Sequence, residues 1–219
     1  MLKAVILDFD GVIVDSEGTT ISLFTELLNK NLALDLTEED FAKYAGLRFE
    51  DRIRKIAIEK EINVNETEIE KIMAEGRFKY FTEKLEHVKA FKGTKKLLDE
   101  LKTKKIKLGV GTNGSRKTVM KILIKLGLID YFTCIITGDD VKRLKPKPDI
   151  FLECAKGLDV NPDSCIVIED SKAGVMAAKK AGMKVVAVTT TTNEERLKEA
   201  DLTVKTINDL NHEKILNLV

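Results

Sequence analysis

The sequence predicts a doubly wound α/β fold with an all-helical insertion, on three observations. Short apolar runs rich in Val and Ile recur at residues 4–7, 106–110, 134–137, 165–168 and 185–188, the pattern of parallel strands buried on both faces. Segments with helical spacing alternate with them, such as Val119-Ile122-Leu123-Leu126 and Val175-Met176 with Lys179 and Lys180 on the outer side. The order is therefore strand, helix, strand, helix. Third, roughly ninety residues separate the first two strands, where a single crossover helix ordinarily suffices.

The first strand ends at Asp8 and Asp10. A period of two puts both carboxylates on one side and turns Phe9 into the core, and Gly11 frees the backbone to turn. Such a pair can also be an ordinary turn or cap. Residues 16–90 contain no convincing strand but several amphipathic stretches, Ile21-Phe24-Leu28, Ile53-Ile56-Ala57 and Ile69-Ile72-Met73, so a helical domain is expected there. The chain returns near Phe91-Lys92-Gly93, giving a core domain of residues 1–15 and 91–219 around a helical domain of residues 16–90.

After the second strand comes Thr112-Asn113-Gly114-Ser115. Ser115 reads as an N-cap, and Thr112 and Asn113 are left to face an anion at the helix N-terminus. Lys145 stands in Lys145-Pro146-Lys147-Pro148-Asp149, where each proline fixes its own φ and restrains the residue before it. Glu169-Asp170-Ser171 follows the strand at 165–168, with Ser171 capping the next helix. Ligands collect at the carboxyl ends of such strands. Three or four carboxylates gathered there would repel without a cation, so a divalent metal is expected among Asp8, Asp10, Glu169 and Asp170.

Composition narrows the function classes. The 37 basic and 36 acidic residues nearly cancel, which gives no nucleic-acid surface and no anionic-membrane surface. The apolar start is too short for a membrane span and is interrupted by Asp8 and Asp10. Cys134, Cys154 and Cys165 form no CxxC pair and are odd in number, as expected of reduced, buried thiols in a cytoplasmic protein. The sequence leaves the oligomeric state open.

The motifs Asp8-Phe9-Asp10-Gly11-Val12, Thr112, Lys145 and Glu169-Asp170 together resemble the haloacid dehalogenase superfamily of phosphohydrolases. The likeness is to the subgroup with a helical cap after the first motif, similar to β-phosphoglucomutase and phosphoglycolate phosphatase, and it covers essentially the whole chain. It implies a Mg2+-dependent phosphatase acting on a small phosphorylated metabolite, a sugar phosphate or phosphoglycolate-like compound. It implies Asp8 as nucleophile and Asp10 as general acid and base. Mg2+ is expected on Asp8, the Asp10 carbonyl and Asp170, with Glu169 direct or through water. Gly11, Thr112, Asn113 and Lys145 are the phosphate-binding candidates.

Asp10 argues against dehalogenation, because a halide needs no protonation. Sugar-phosphate mutases of the β-phosphoglucomutase type are the nearest rival. They resemble one another in a His where Thr20 stands and in basic residues where Ala45 and Phe49 stand. Gly46-Leu47-Arg48 is the candidate specificity loop, and Arg48 or Arg52 could substitute for the missing basic groups. A rival of another class is a phospho-acceptor module resembling signalling receivers, which also gather Asp, Thr and Lys on a doubly wound sheet.

Overall fold

The computed structural model describes residues 2–44, 49–79 and 88–218. The chain divides into two compact units, Met1–Asp15 with Lys89–Val219, and the inserted Ser16–Val88. In chain order, β1 (Ala4–Leu7) and β2 (Val14–Asp15) precede the inserted helices α1 (Glu17–Leu32), α2 (Glu38–Ala42), α3 (Phe49–Glu59) and α4 (Glu66–Lys79). The core resumes with β3 (Lys89–Ala90), α5 (Thr94–Thr103), β4 (Lys107–Gly111), α6 (Arg116–Lys125), β5 (Cys134–Ile136) and α7 (Asp149–Gly157). It ends with β6 (Cys165–Glu169), α8 (Lys172–Lys180), β7 (Lys184–Val188), β8 (Leu202–Val204) and α9 (His212–Leu216).

Six strands form one parallel sheet in the order β5-β4-β1-β6-β7-β8. Its period of two sorts the side chains. Ala4, Ile6, Cys165, Val167, Val185 and Ala187 pack with Ile150, Phe151 and Cys154 of α7 and with Val175, Ala177 and Ala178 of α8. The alternate residues Val5, Leu7, Leu108, Ile166 and Val186 are equally dry, so both faces are covered, as a parallel sheet requires. Leu7 lies opposite Ile168 on one side and Val110 on the other. One step further on, the register brings Asp8 beside Glu169, on the face covered by α7 and α8.

The structure adjusts several sequence expectations. The strand expected at 134–137 stops at Ile136, because Asp140 takes both the backbone N–H and the hydroxyl of Thr137 and starts a tight turn. A sixth strand, β8, was not anticipated; its residues Leu202-Thr203-Val204 are half-buried at the sheet edge, and Thr203 breaks the apolar run that marks β5 at the opposite edge. The chain re-enters the core at Lys89 rather than 91, because Lys89 and Ala90 pair antiparallel with Asp15 and Val14. Among the described residues, no helix is long and apolar enough to cross a membrane.

The inserted unit has its own core of Ile21, Leu23, Phe24, Leu27, Leu28, Phe41, Ile53, Ile56, Ile69 and Ile72, most of it at helical spacing. Asp40 anchors one end of it. Its Oδ2 accepts from the Thr37 N–H at 2.9 Å and the Thr37 hydroxyl at 3.0 Å, and Lys60 Nζ lies 2.9 Å from Oδ1. The Thr37 N–H and Lys60 bonds hold the Asp40 carboxyl down at about 2. A depressed pKa stabilises the fold fully above the ordinary carboxylate value and loses that contribution as pH falls toward 2. Asp40→Asn should therefore cost about 1–2 kcal/mol at pH 6 and almost nothing at pH 2. Urea unfolding at both pH values measures this, and equal stabilities at pH 6 would refute it.

Candidate active site

Asp8 extends the β1 ladder by donating its N–H to the Ile168 carbonyl at 2.9 Å. Phe9, 1% exposed, anchors the turn that follows. Its carbonyl accepts from the N–H groups of Ile13 and Val14, both at 3.0 Å, and the Gly11 N–H donates to Val14 O at 2.9 Å. Gly11 has φ +79°, and a Cβ there would lie 2.0 Å from Asp170 Oδ2. Only glycine lets this turn and Asp170 close together. The two aspartates then differ in setting: Asp8 is buried and Asp10 is exposed, bridging to Val14.

Lys145 occupies the centre of the site. Its backbone N–H donates to Asn113 Oδ1 at 3.0 Å, and the Lys145–Pro146 peptide is cis. Its ammonium donates to Asp8 Oδ1 at 2.5 Å and Glu169 Oε1 at 2.7 Å, and lies 4.7 Å from the centre of the Phe151 ring. Glu169 is itself pinned. Its Oε2 accepts from the N–H groups of Asp170 and Ser171 at 2.8 and 2.6 Å and from the Ser171 hydroxyl at 2.9 Å. The carboxylate thus sits at the positive end of α8, which approaches so closely that a Cβ on Gly174 would lie 1.8 Å from Glu169 Oε1.

Burial pushes Asp8 up to about 7; Lys145 pulls against this, while Glu169 and Asp10 add to it. Asp170 is raised well above the usual range by burial first and then by Glu169 and Asp8, with the Thr191 hydroxyl opposing. Burial works against the charge on Lys145, yet Asp8 and Glu169 together outweigh it and hold the ammonium more firmly than in water. Asp8, Glu169 and Asp170 can each present an oxygen within 4.8 Å of the others. Three hard oxygen donors around one lysine leave an excess of negative charge, a donor set that fits Mg2+.

Thr112, at the end of β4, is buried and accepts from the Gly114 N–H at 3.0 Å. That bond uses a lone pair and leaves the hydroxyl proton for an incoming acceptor. Asn113, expected to face phosphate, accepts the Lys145 backbone N–H on its side-chain carbonyl oxygen, which leaves its amide N–H groups for a ligand. Glu169, expected on the metal directly or through water, has both oxygens engaged by donors. Gly46 and Arg48 lie outside the described residues. Sequence reasoning missed Phe151 beneath the lysine, Thr190, which donates to the Gly11 carbonyl, and Thr191, which donates to Asp170 Oδ2. The run Thr189 to Thr192 just past an apolar strand was the available signal for the threonines, of the same kind that marked Thr112.

Comparison with known proteins identifies the family. Residues 5–188 match the haloacid dehalogenase-like hydrolases. The chain is 32% identical to a β-phosphoglucomutase of Bacillus subtilis over 213 residues, 95% of this chain and 92% of that one. It is 31% identical to a phosphorylated carbohydrates phosphatase of Thermotoga maritima over 183 residues, 84% and 83% of the two chains. Two longer relatives from Arabidopsis thaliana are spanned to 19% and 55% of their length. The crystal structure of β-phosphoglucomutase from Clostridium difficile superposes with a TM-score of 0.75 at 31% identity, covering 100% of this chain and 97% of that one. The carboxylate cluster, the buried lysine and these matches lead to one assignment: the chain belongs to the haloacid dehalogenase-like hydrolases.

Proposed function

We propose that the protein is a Mg2+-dependent phosphatase that releases phosphate from a small phosphorylated metabolite of the sugar phosphate class, through an aspartyl-phosphate on Asp8. The observation that carries this reading is the Asp8 carboxylate at the end of the β1 strand, bonded to a buried lysine and within metal-sharing reach of Asp170 and Glu169. In the first step an Asp8 oxygen attacks phosphorus and the ester P–O bond breaks. Asp10 gives the leaving oxygen its proton. Water then attacks the same phosphorus, Asp10 takes the water proton, and phosphate departs with Asp8 restored.

Lys145 offsets charge between the nucleophile and the phosphoryl group, and the Thr112 hydroxyl donates to a phosphoryl oxygen. Asp8, the Asp10 carbonyl and Asp170 would hold Mg2+, with Glu169 reaching it through water. The cation, when bound, supplies charge neutralisation for the transferring oxygens. Asn113 and Glu169 act chiefly on the lysine in this scheme, one by its backbone and one by its ammonium.

The mutase reading has named relatives behind it, and two features of the inserted unit weigh on the side of hydrolysis. Thr20, where the mutases resemble one another in a His, donates its hydroxyl to the Ser16 carbonyl at 2.7 Å within its own helix. Phe49 packs its ring against Phe24 and Phe41, 4.9 and 6.0 Å between centres, as a partly buried residue against the unit's core. The receiver-like reading loses ground to a hydrolase-family match spanning 5–188. A panel of sugar phosphates assayed for released phosphate should show turnover with Mg2+ that falls about 100-fold or more in EDTA and returns on adding Mg2+. Sustained release in EDTA would sink the metal reading, and interconversion of glucose 1- and 6-phosphates without net phosphate would establish the mutase instead.

A further inference from the structure

The chain beyond β7 crosses the back of the site. Thr189 still belongs to the sheet, donating its N–H to the Val204 carbonyl at 3.0 Å. The next two hydroxyls turn the other way: Thr190 donates to the Gly11 carbonyl and Thr191 to Asp170 Oδ2. The Thr191 methyl lies 2.8 Å from where a Cβ on Gly11 would stand, so this residue sits between the nucleophile turn and Asp170. Asp170 is 6% exposed, and among the described residues no other side chain donates to its carboxylate. A carboxylate rotates through a broad, shallow torsion. A single hydrogen bond to one oxygen therefore decides where the other points.

We propose that Thr191 is a positioning residue that aims the Asp170 carboxylate at the metal, with Thr190 holding the Gly11 turn in register beside it. The inference rests on Asp170 being a Mg2+ ligand, as proposed above. Ligating carboxylates are commonly oriented by such outer hydrogen bonds, and losing one weakens metal binding by about 10- to 100-fold. The Thr191 hydroxyl makes no bond within the sheet ladder, so its loss should weaken metal affinity, with a smaller loss of stability from the buried Asp170 oxygen left without its donor.

Calorimetric titration of the full chain with Mg2+ alone tests this without turnover. Thr191→Val keeps the shape and deletes the donor; Thr191→Ser keeps the donor and deletes the methyl. The expected result is a Kd raised about 10-fold or more in Thr191→Val with a melting temperature in EDTA lowered by no more than about 10 °C, and a Kd within about threefold of wild type in Thr191→Ser with melting unchanged. Thr191→Ala serves in place of the valine variant if that protein does not fold. Equal Mg2+ affinity in the wild type and the donor-less variant would overturn the proposal. So would equal losses in the Val and Ser variants, which would mark a packing role. A wild-type chain that takes up no Mg2+ would overturn the metal reading first and this inference with it, whereas tight wild-type binding unaffected by position 191 would overturn this inference alone.

Discussion

Asp8→Asn is expected to lower phosphate release by at least about 10^4-fold while making the metal-free protein more stable at pH 8. The first effect follows from the nucleophile, since an amide cannot form the aspartyl-phosphate, and removing a nucleophile in comparable enzymes costs about that much. The second follows from burial. Asp8 titrates near 7 in the folded chain against 3.8 for a free aspartate, so the fold binds this proton more tightly than the unfolded chain does. A raised carboxyl pKa means that stability is lost as pH climbs from about 4 through about 7. The asparagine variant escapes that loss and should gain about 1–3 kcal/mol at pH 8 in EDTA, with little gain at pH 4. Added Mg2+ should reverse the order, because it binds and stabilises the wild type. Urea unfolding at pH 4, 6 and 8 gives the profile; a variant no more stable than wild type at pH 8 would show that ionised Asp8 is no burden.

Lys145→Met should have the opposite sign in stability. It leaves Asp8, Glu169 and Asp170 buried without their ammonium partner, and breaking a buried ion pair from one side costs about 3–5 kcal/mol. Lys145 is held above its ordinary pKa, so its contribution is complete at neutral pH and fades only as pH rises through the folded value. The damage in the variant should shrink as pH falls toward 4, where the acids can take up protons. Asp8→Asn placed on top of Lys145→Met should recover part of the loss, and the double-mutant cycle measured in EDTA gives the coupling directly. A coupling near zero would mean that the 2.5 Å contact carries no net energy.

The site was legible wherever one short stretch carried both the apolar run and the polar end. Glu169-Asp170 after β6 is such a case, as are Asp8 after β1 and Thr112 after β4, because a strand delivers its last residues to one edge of the sheet. Thr191 was not legible, since its meaning depends on Asp170, 21 residues away, and on the space left by Gly11. The use of Asn113 as a support for the lysine backbone likewise arises from a contact 32 residues apart. In the fold, the central strands announced themselves through β-branched residues dry on both sides, whereas the edge strand β8 is three residues interrupted by Thr203. The ribbon of β2 and β3 has two residues per strand, fewer than any periodicity can register.

That ribbon also bears on how such a chain can be assembled. The polypeptide leaves the sheet unit at Asp15 and comes back at Lys89, and these two residues are partners on one rung. The exit and the entrance are a single doorway. Whatever is strung between them begins and ends at the same place, so the sheet unit registers its length only through the entropy of closing a loop, about 0.6 kcal/mol for each doubling. A detour of this kind can be lengthened, exchanged or rebuilt over evolutionary time while the strands that carry Asp8, Thr112 and Glu169 keep their register, which separates the history of the chemistry from the history of the insertion.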